Sequence, residues 1–148
     1  MLKIQLICIG RLKEKFYIDA CAEYEKRLRR FCNFEIIELP ETGDIVRDGA
    51  NMLSRIPSGA RVVALCIEGK LHSSEELADC LSECALSGRS RLAFLIGGSD
   101  GLSPEVKSRS DLRLSMSPMT FPHHLARVMV LEQIYRAFSI NEGGKYHK

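Results

Sequence analysis

The sequence predicts an α/β layer fold with a largely parallel sheet. Apolar runs of strand character alternate with segments of helical period, the order that packs helices onto a parallel sheet. The length, 148 residues, suits one domain with a core of its own. Hydrophobic residues make up 45% and charged residues 27%, the balance of a soluble globular protein. No internal repeat, low-complexity tract or linker divides the chain.

The elements follow in order. "LKIQLICIG" reads as the first strand, dense in the β-branched and aliphatic residues that strands favour. A helix is expected over about 15–32, because Tyr17, Cys21, Tyr24, Leu28 and Phe31 recur at helical spacing and form a buried stripe. "FEIIEL" is the second strand, and a helix is expected in the 44–56 region. "RVVALCIEG" is the third strand. The helix after it runs from Ser73 to about Ser87, opened by the capping box Ser73-x-x-Glu76 and stopped at Gly88. "RLAFLIGG" and "DLRLSMS" are two further strands, and a closing helix runs from about Pro122 to Ser139.

Composition removes several function classes. No apolar run reaches the ~18 residues that span a bilayer, and the first ten residues lack the basic leader and cleavage site of a secretory signal. A membrane partner is therefore not expected. The net charge is +2, too mild to coat nucleic acid through bulk charge. "KRLRR" at 26–30 is the densest local basic patch, and a merely solvated helix face is its plainer reading. Cysteines stand at 8, 21, 32, 66, 80 and 84 without a CxxC pair. Cys80 and Cys84 are four apart on a predicted helix, a spacing able to clip a metal. Reduced buried thiols in a cytosolic protein are the plainer reading, and no metal is expected.

Open α/β sheets bind ligands at the carboxyl ends of their strands. Three such ends are chemically distinctive: Glu68-Gly69-Lys70, then Gly97-Gly98 with Gly101 beyond, then the Ser/Met/Pro/Thr segment that leads into the last helix. The glycine pair permits a close approach of backbone or ligand, or simply a tight turn. It is neither a GxGxxG fingerprint nor a phosphate loop, so nicotinamide and ATP chemistry lack support. HExxH, GxSxG and zinc-ligand spacings do not occur.

The last helix carries the strongest signal. Leu125, Val128, Met129, Leu131, Ile134, Tyr135 and Phe138 cover more of its circumference than the ~100° stripe that one sheet face needs. The excess predicts a second partner, another copy of the chain in an isologous pair. Glu132 and Arg136 fall within this arc at i and i+4, acid first. They form either a structural ion pair or a guanidinium presented to an anionic substrate.

The segments "FLIGGSDGLSPEV", "LSMSPMTFPHHLARVMVLEQIYRAFSI" and the terminal "YHK", in this order, give the chain a resemblance to the ribosomal RNA large subunit methyltransferase H family of the SPOUT superfamily. The likeness runs over the whole chain. It implies a cytoplasmic homodimer with a C-terminal trefoil knot, a feature that is rare among folds. It also implies S-adenosyl-L-methionine as cofactor and N3 of a pseudouridine in bacterial 23S rRNA as acceptor, on the assembled ribosome. By the same resemblance, Leu65, Gly97 and the loop Met116, Ser117, Pro118, Met119, Thr120 and Phe121 contact the cofactor. Arg136, Tyr146 and His147 match the polar site beside the transferred methyl and the RNA.

The residues suit those roles. Leu65, Met116 and Met119 offer an apolar slot for adenine, and Gly97 lets the cofactor approach the main chain. Tyr146 stacks on a base or bonds to it. His147 has the pKa of a base for N3–H, or else it positions RNA while water or phosphate takes the proton. The sequence departs from the family pattern at Asp100, commonly Glu, and at Lys145, commonly Pro. "GGKYHK" therefore predicts a tail that is loose until substrate binds. Two other readings compete: an α/β protein for another nucleotide, which would need the missing phosphate loop, and a non-catalytic ribosome-binding dimer.

Overall fold

The computed structural model describes residues 1–148. Its five strands are β1 (Lys3–Ile9), β2 (Asn33–Leu39), β3 (Arg61–Leu71), β4 (Arg91–Ile96) and β5 (Leu112–Ser115). They form one sheet in the order β2-β1-β4-β3-β5, and every pairing is parallel. The helices are α1 (Lys15–Leu28), α2 (Ile45–Leu53), α3 (Ser74–Leu86), α4 (Pro104–Arg109) and α5 (His123–Asn141).

Parallel strands need crossovers, and helices placed by those crossovers bury both sheet faces. Alternate residues of each strand accordingly enter two cores. Ile4, Leu6 and Cys8 of β1 pack with Phe94 of β4 and with Cys21, Leu81 and Ile134 of α1, α3 and α5. Ile7 and Ile9 point the other way, toward Met52 of α2 and Val106 of α4. This two-faced burial explains why the strands read as nearly continuous apolar runs.

Most expected elements appear with shifted ends. α1 stops at Leu28 rather than near 32, and a turn closed by Cys32 N–H on the Leu28 carbonyl (3.0 Å) follows it. Phe31 still reaches the stripe by stacking on Phe138, with ring centroids 5.3 Å apart. The capping box of α3 forms as read, with Ser73 and Glu76 bonding reciprocally. α4 was not anticipated, yet "SPEV" carries its start: Ser103 caps Val106 N–H and Pro104 occupies the first turn. α5 runs two residues past Ser139.

β3 is longer than expected and irregular. Its pairing with β5 shifts between Leu65 and Lys70, so residues 66–69 arch out of the ladder. Gly69 is required there, because a Cβ would lie 2.6 Å from the Arg113 carbonyl oxygen. The arch becomes one wall of the site described below.

Arg127 of α5 is the most deeply buried charged side chain, 1% exposed. Its guanidinium donates to Glu38 at the end of β2 (2.5 Å) and to the Gly10 carbonyl (3.0 Å). A buried charge is tolerable only when paired and hydrogen-bonded, and these bonds fasten α5 to the carboxyl ends of β1 and β2. The "KRLRR" run is only partly a solvated face. Arg27 lies over the rings of Tyr24 and Tyr135 (5.2 and 5.5 Å), while Lys26, Arg29 and Arg30 are exposed. All six cysteines are free thiols and five are buried.

Candidate active site

A cavity of about 720 Å³ opens at the carboxyl ends of β3, β4 and β5. Its walls are Leu65 with the arch Cys66–Glu68, the turn Gly97–Leu102, and the segment from Leu114 to the start of α5. Of the residues that the sequence assigned to a cofactor, Leu65, Gly97, Met116, Ser117, Met119, Thr120 and Phe121 line it. Pro118 lies in the same loop and is not part of the lining. The loop holds its own shape: Ser115 Oγ donates to the Ser117 carbonyl (3.1 Å), and Met119 N–H donates to Ser117 Oγ (3.0 Å). Met119 remains 72% exposed at the mouth.

The rim is polar. Lys107 of α4 pairs with Glu68 at 2.5 Å, and this hydrogen bond holds the Glu68 carboxyl below the usual carboxylate range. Asp100 also lines the cavity. Gly97 lines the cavity and also has a role in the turn itself. A Cβ there would strike the Gly101 main chain and lie 2.9 Å from Leu102 N. Its missing side chain thus serves closure of the 97–101 turn, which is pinned by a Gly98–Gly101 bridge.

The tail differs from expectation. Gly143, at φ +71°, reverses the chain after α5, and Gly144 N–H bonds to the Ser139 carbonyl (2.9 Å). This is the left-handed helix stop that glycine allows. The reversal lays the tail back on α5. Tyr146 OH donates to Glu132 (2.8 Å), its ring meets Tyr135 edge-on at 4.9 Å, and Arg136 lies over it at 4.6 Å. His147 sits between Arg136 and Glu75, with Nδ1 3.1 Å from the guanidinium and Nε2 2.6 Å from the carboxylate. The tail is docked, not loose.

Arg136 grips Glu132 through Nε and a terminal nitrogen (2.7 Å), so the ion pair exists and still leaves one nitrogen for His147. Partial burial, then the Glu132 hydrogen bond, push the Tyr146 phenol up to about 12. Sequence reasoning missed Glu75. Its neighbour Glu76 matched the cap signal, and nothing local marks a first-turn glutamate as the partner of a residue 72 positions away.

Arg136, Tyr146 and His147 come together but do not line the large cavity. Their partner Glu132 borders a second cavity of about 460 Å³, walled by Tyr24, Leu77, Phe94, Val128 and Met129. Leu114 and Met116 border both cavities and separate them. One chain alone therefore holds the two groups of site residues on either side of the β5 end.

A family model described as predicted SPOUT methyltransferase matches residues 2–147. The chain is 45% identical to the ribosomal RNA large subunit methyltransferase H of Clostridium novyi (strain NT), covering 99% of this chain and 100% of that protein. It is 47% identical to the protein of the same name from Bacillus cytotoxicus, again over 99% and 100%. Among solved structures, a probable methylase family protein from Haemophilus influenzae Rd KW20 has a TM-score of 0.57 at 16% identity, over 99% of this chain and 70% of that one. That last likeness is one of fold.

Proposed function

The chain belongs to the ribosomal RNA large subunit methyltransferase H family of SPOUT methyltransferases, and on that premise we propose that it transfers the methyl group of S-adenosyl-L-methionine to N3 of a pseudouridine in bacterial 23S rRNA. The observation that carries the reading is the full-length likeness, 45% over 99% of the chain. The donor set fits the cofactor. The cavity is large enough for a nucleoside, Leu65, Leu114 and Met116 supply an apolar slot, and Ser117 and Thr120 supply hydroxyls in the adjoining loop.

When bound, the cofactor supplies a methyl group on a sulfonium, whose leaving group is a neutral thioether. The protein's task is then alignment of N3 with that methyl and removal of the N3 proton. Arg136 and the tail hold the RNA. The imidazole of His147 is the tail's candidate proton acceptor, but in the docked form it does not have a free lone pair. Nε2–H facing Glu75 and Nδ1 accepting from Arg136 occupy both ring nitrogens. Undocking of the tail precedes any role as base; otherwise water or a phosphate takes the proton.

The active unit is a homodimer. Separation of the tail cluster from the cofactor cavity within one chain supports a site completed by a second copy. So do apolar side chains left in solvent, Phe16 at 66%, Met119 at 72% and Leu125 at 36%. The C-terminal part carries a trefoil knot. Support comes from β5 pairing beside β3, with β4 on the other side of β3, and from the approach of Gly69 in the β3 arch to the Arg113 main chain. The whole chain acts as one domain, in the cytoplasm, on the assembled ribosome. Incubation with labelled cofactor and unmodified ribosomes should place label in N3-methylpseudouridine, identified by mass spectrometry. A folded, cofactor-binding protein that labels no nucleoside would overturn the reading in favour of a non-catalytic ribosome-binding dimer.

A further inference from the structure

We propose that a second, polar cleft beside the cofactor cavity docks a backbone phosphate of the RNA substrate, through Arg11, Lys13, His123 and His124. The proposal rests on the RNA methyltransferase reading. The cleft, about 550 Å³, lies between the carboxyl ends of β1 and β2 and the first turn of α5. It shares His123 with the cofactor cavity, so an RNA strand crossing one mouth passes the other.

The carboxylates in the cleft already have partners. Glu38 accepts from Arg127 (2.5 Å) and from Leu12 N–H (3.0 Å). Glu41 accepts from Ser99 N–H and Oγ, both at 2.9 Å. Arg11 and Lys13 are exposed and have no ion-pair partner, so their donors are free for an anion. The two histidine rings are 4.1 Å apart, with Glu14 3.8 Å from His124. The first turn of α5 has no acidic residue and no side-chain cap, which leaves the positive end of a long helix facing the cleft.

Gly10 turns the chain at the cleft in the left-handed region, φ +101°, which disfavours other residues. Besides Leu39 and Pro40 the lining is polar, and its two rings, His123 and His124, pack against each other at 4.1 Å. Phosphate is the part of RNA that fits, and phosphate contacts position a substrate without reading its sequence.

The test is the double variant Arg11→Ala/Lys13→Ala, beside the charge-preserving Arg11→Lys/Lys13→Arg. Melting temperature and cofactor affinity should match the parent in both. In the alanine variant, KM for unmodified ribosomes should rise about tenfold with kcat within about twofold. The slope of log(kcat/KM) against log[salt] should become shallower by about one, the loss of one phosphate contact. Inorganic phosphate at fixed ionic strength should compete with ribosomes in the parent and not in the alanine variant. Unchanged KM and slope, or equal loss in the charge-preserving variant, would overturn the cleft. Should the parent methylate nothing, the methyltransferase reading fails. Co-sedimentation with ribosomes then still decides the cleft, weaker for the alanine variant if it binds phosphate and equal if it does not. If the double variant does not fold, Lys13→Gln alone carries the same readouts.

Discussion

His147 Nε2 lies 2.6 Å from the carboxylate of Glu75, in the first turn of α3. The opposite ring nitrogen faces the guanidinium of Arg136 at 3.1 Å. Arginine only donates, so Nδ1 accepts and the proton sits on Nε2. The ring is held as one neutral tautomer, bridging two helices.

That bridge sets the outcome of removing residues 145–148. Exposed hydrogen bonds of this kind contribute about 0.5–1.5 kcal/mol, and the tail adds the Tyr146 ring against Tyr135. The melting temperature should fall by about 2–4 °C, the shift for ~1 kcal/mol in a chain of this size. Cofactor affinity should not change, because no tail residue lines the large cavity proposed for the cofactor. Methyl transfer to ribosomes should fall at least ~100-fold. Near-normal transfer by the truncated protein would remove the tail from the active site.

Acid should release the tail. The Glu75 carboxyl is held below the usual carboxylate range by a backbone N–H and then by His147. A lowered folded pKa means that its bonds are present above the unfolded value and are lost as pH falls through the folded one. Carboxypeptidase digestion of the tail should accelerate below about pH 4, and Glu75→Ala should show the same acceleration at neutral pH. A tail equally resistant in parent and variant would refute the docked geometry.

Alkali should act through the phenol. Tyr146 is raised to about 12, so its folded state favours the neutral form. The stabilisation is complete below the unfolded value near 10 and disappears as pH rises through about 12. Ultraviolet titration of the tyrosines should include one late component, absent from Tyr146→Phe. A curve with all components complete by pH 11 would contradict the Glu132 bond.

Gly97→Ala separates two roles that the sequence left joined. The added methyl falls on the Gly101 main chain. Relief requires the 97–101 turn to shift, at a cost of about 1–3 kcal/mol for overpacking. The melting temperature and cofactor affinity should fall together. A fall in affinity alone, measured by calorimetry on a protein of parental stability, would return Gly97 to the role of an approach path.

The sheet was legible because its strands are buried on both faces and so appear as unbroken apolar runs. α3 was legible through its cap. α4 escaped because six residues carry little periodicity, and only "SP" marks its start. The loop 116–121 was legible through resemblance to a family; nothing in its spacing marks Pro118 as the one residue outside the cavity lining. The tail was misjudged because glycine pairs suggest freedom. Gly143 instead makes the reversal that brings Tyr146 to Glu132, and the partners across that fold lie 14 to 72 residues away. Long-range pairs of this kind leave no local signal.

Arg127 escaped for the same reason, and it gives the sharpest test of the fold. In sequence it is one cation among the apolar residues of α5. In the structure it is 1% exposed, joined to Glu38 and to the Gly10 carbonyl across the carboxyl ends of β1 and β2. Removing one partner of a buried pair costs about 3–5 kcal/mol, largely because the other charge is stranded. Glu38 retains solvent contact, with 32% of its side chain exposed, which places Arg127→Met near the low end, about 3 kcal/mol. That corresponds to a fall of about 6–12 °C in melting temperature. Glu38→Gln made with Arg127→Met removes the stranded charge and should recover part of the loss. The two changes together should therefore cost less than their separate sum by at least ~1 kcal/mol. Strict additivity in that cycle, measured by denaturant titration, would mean that the two side chains do not interact and that Arg127 fastens α5 only through the Gly10 carbonyl.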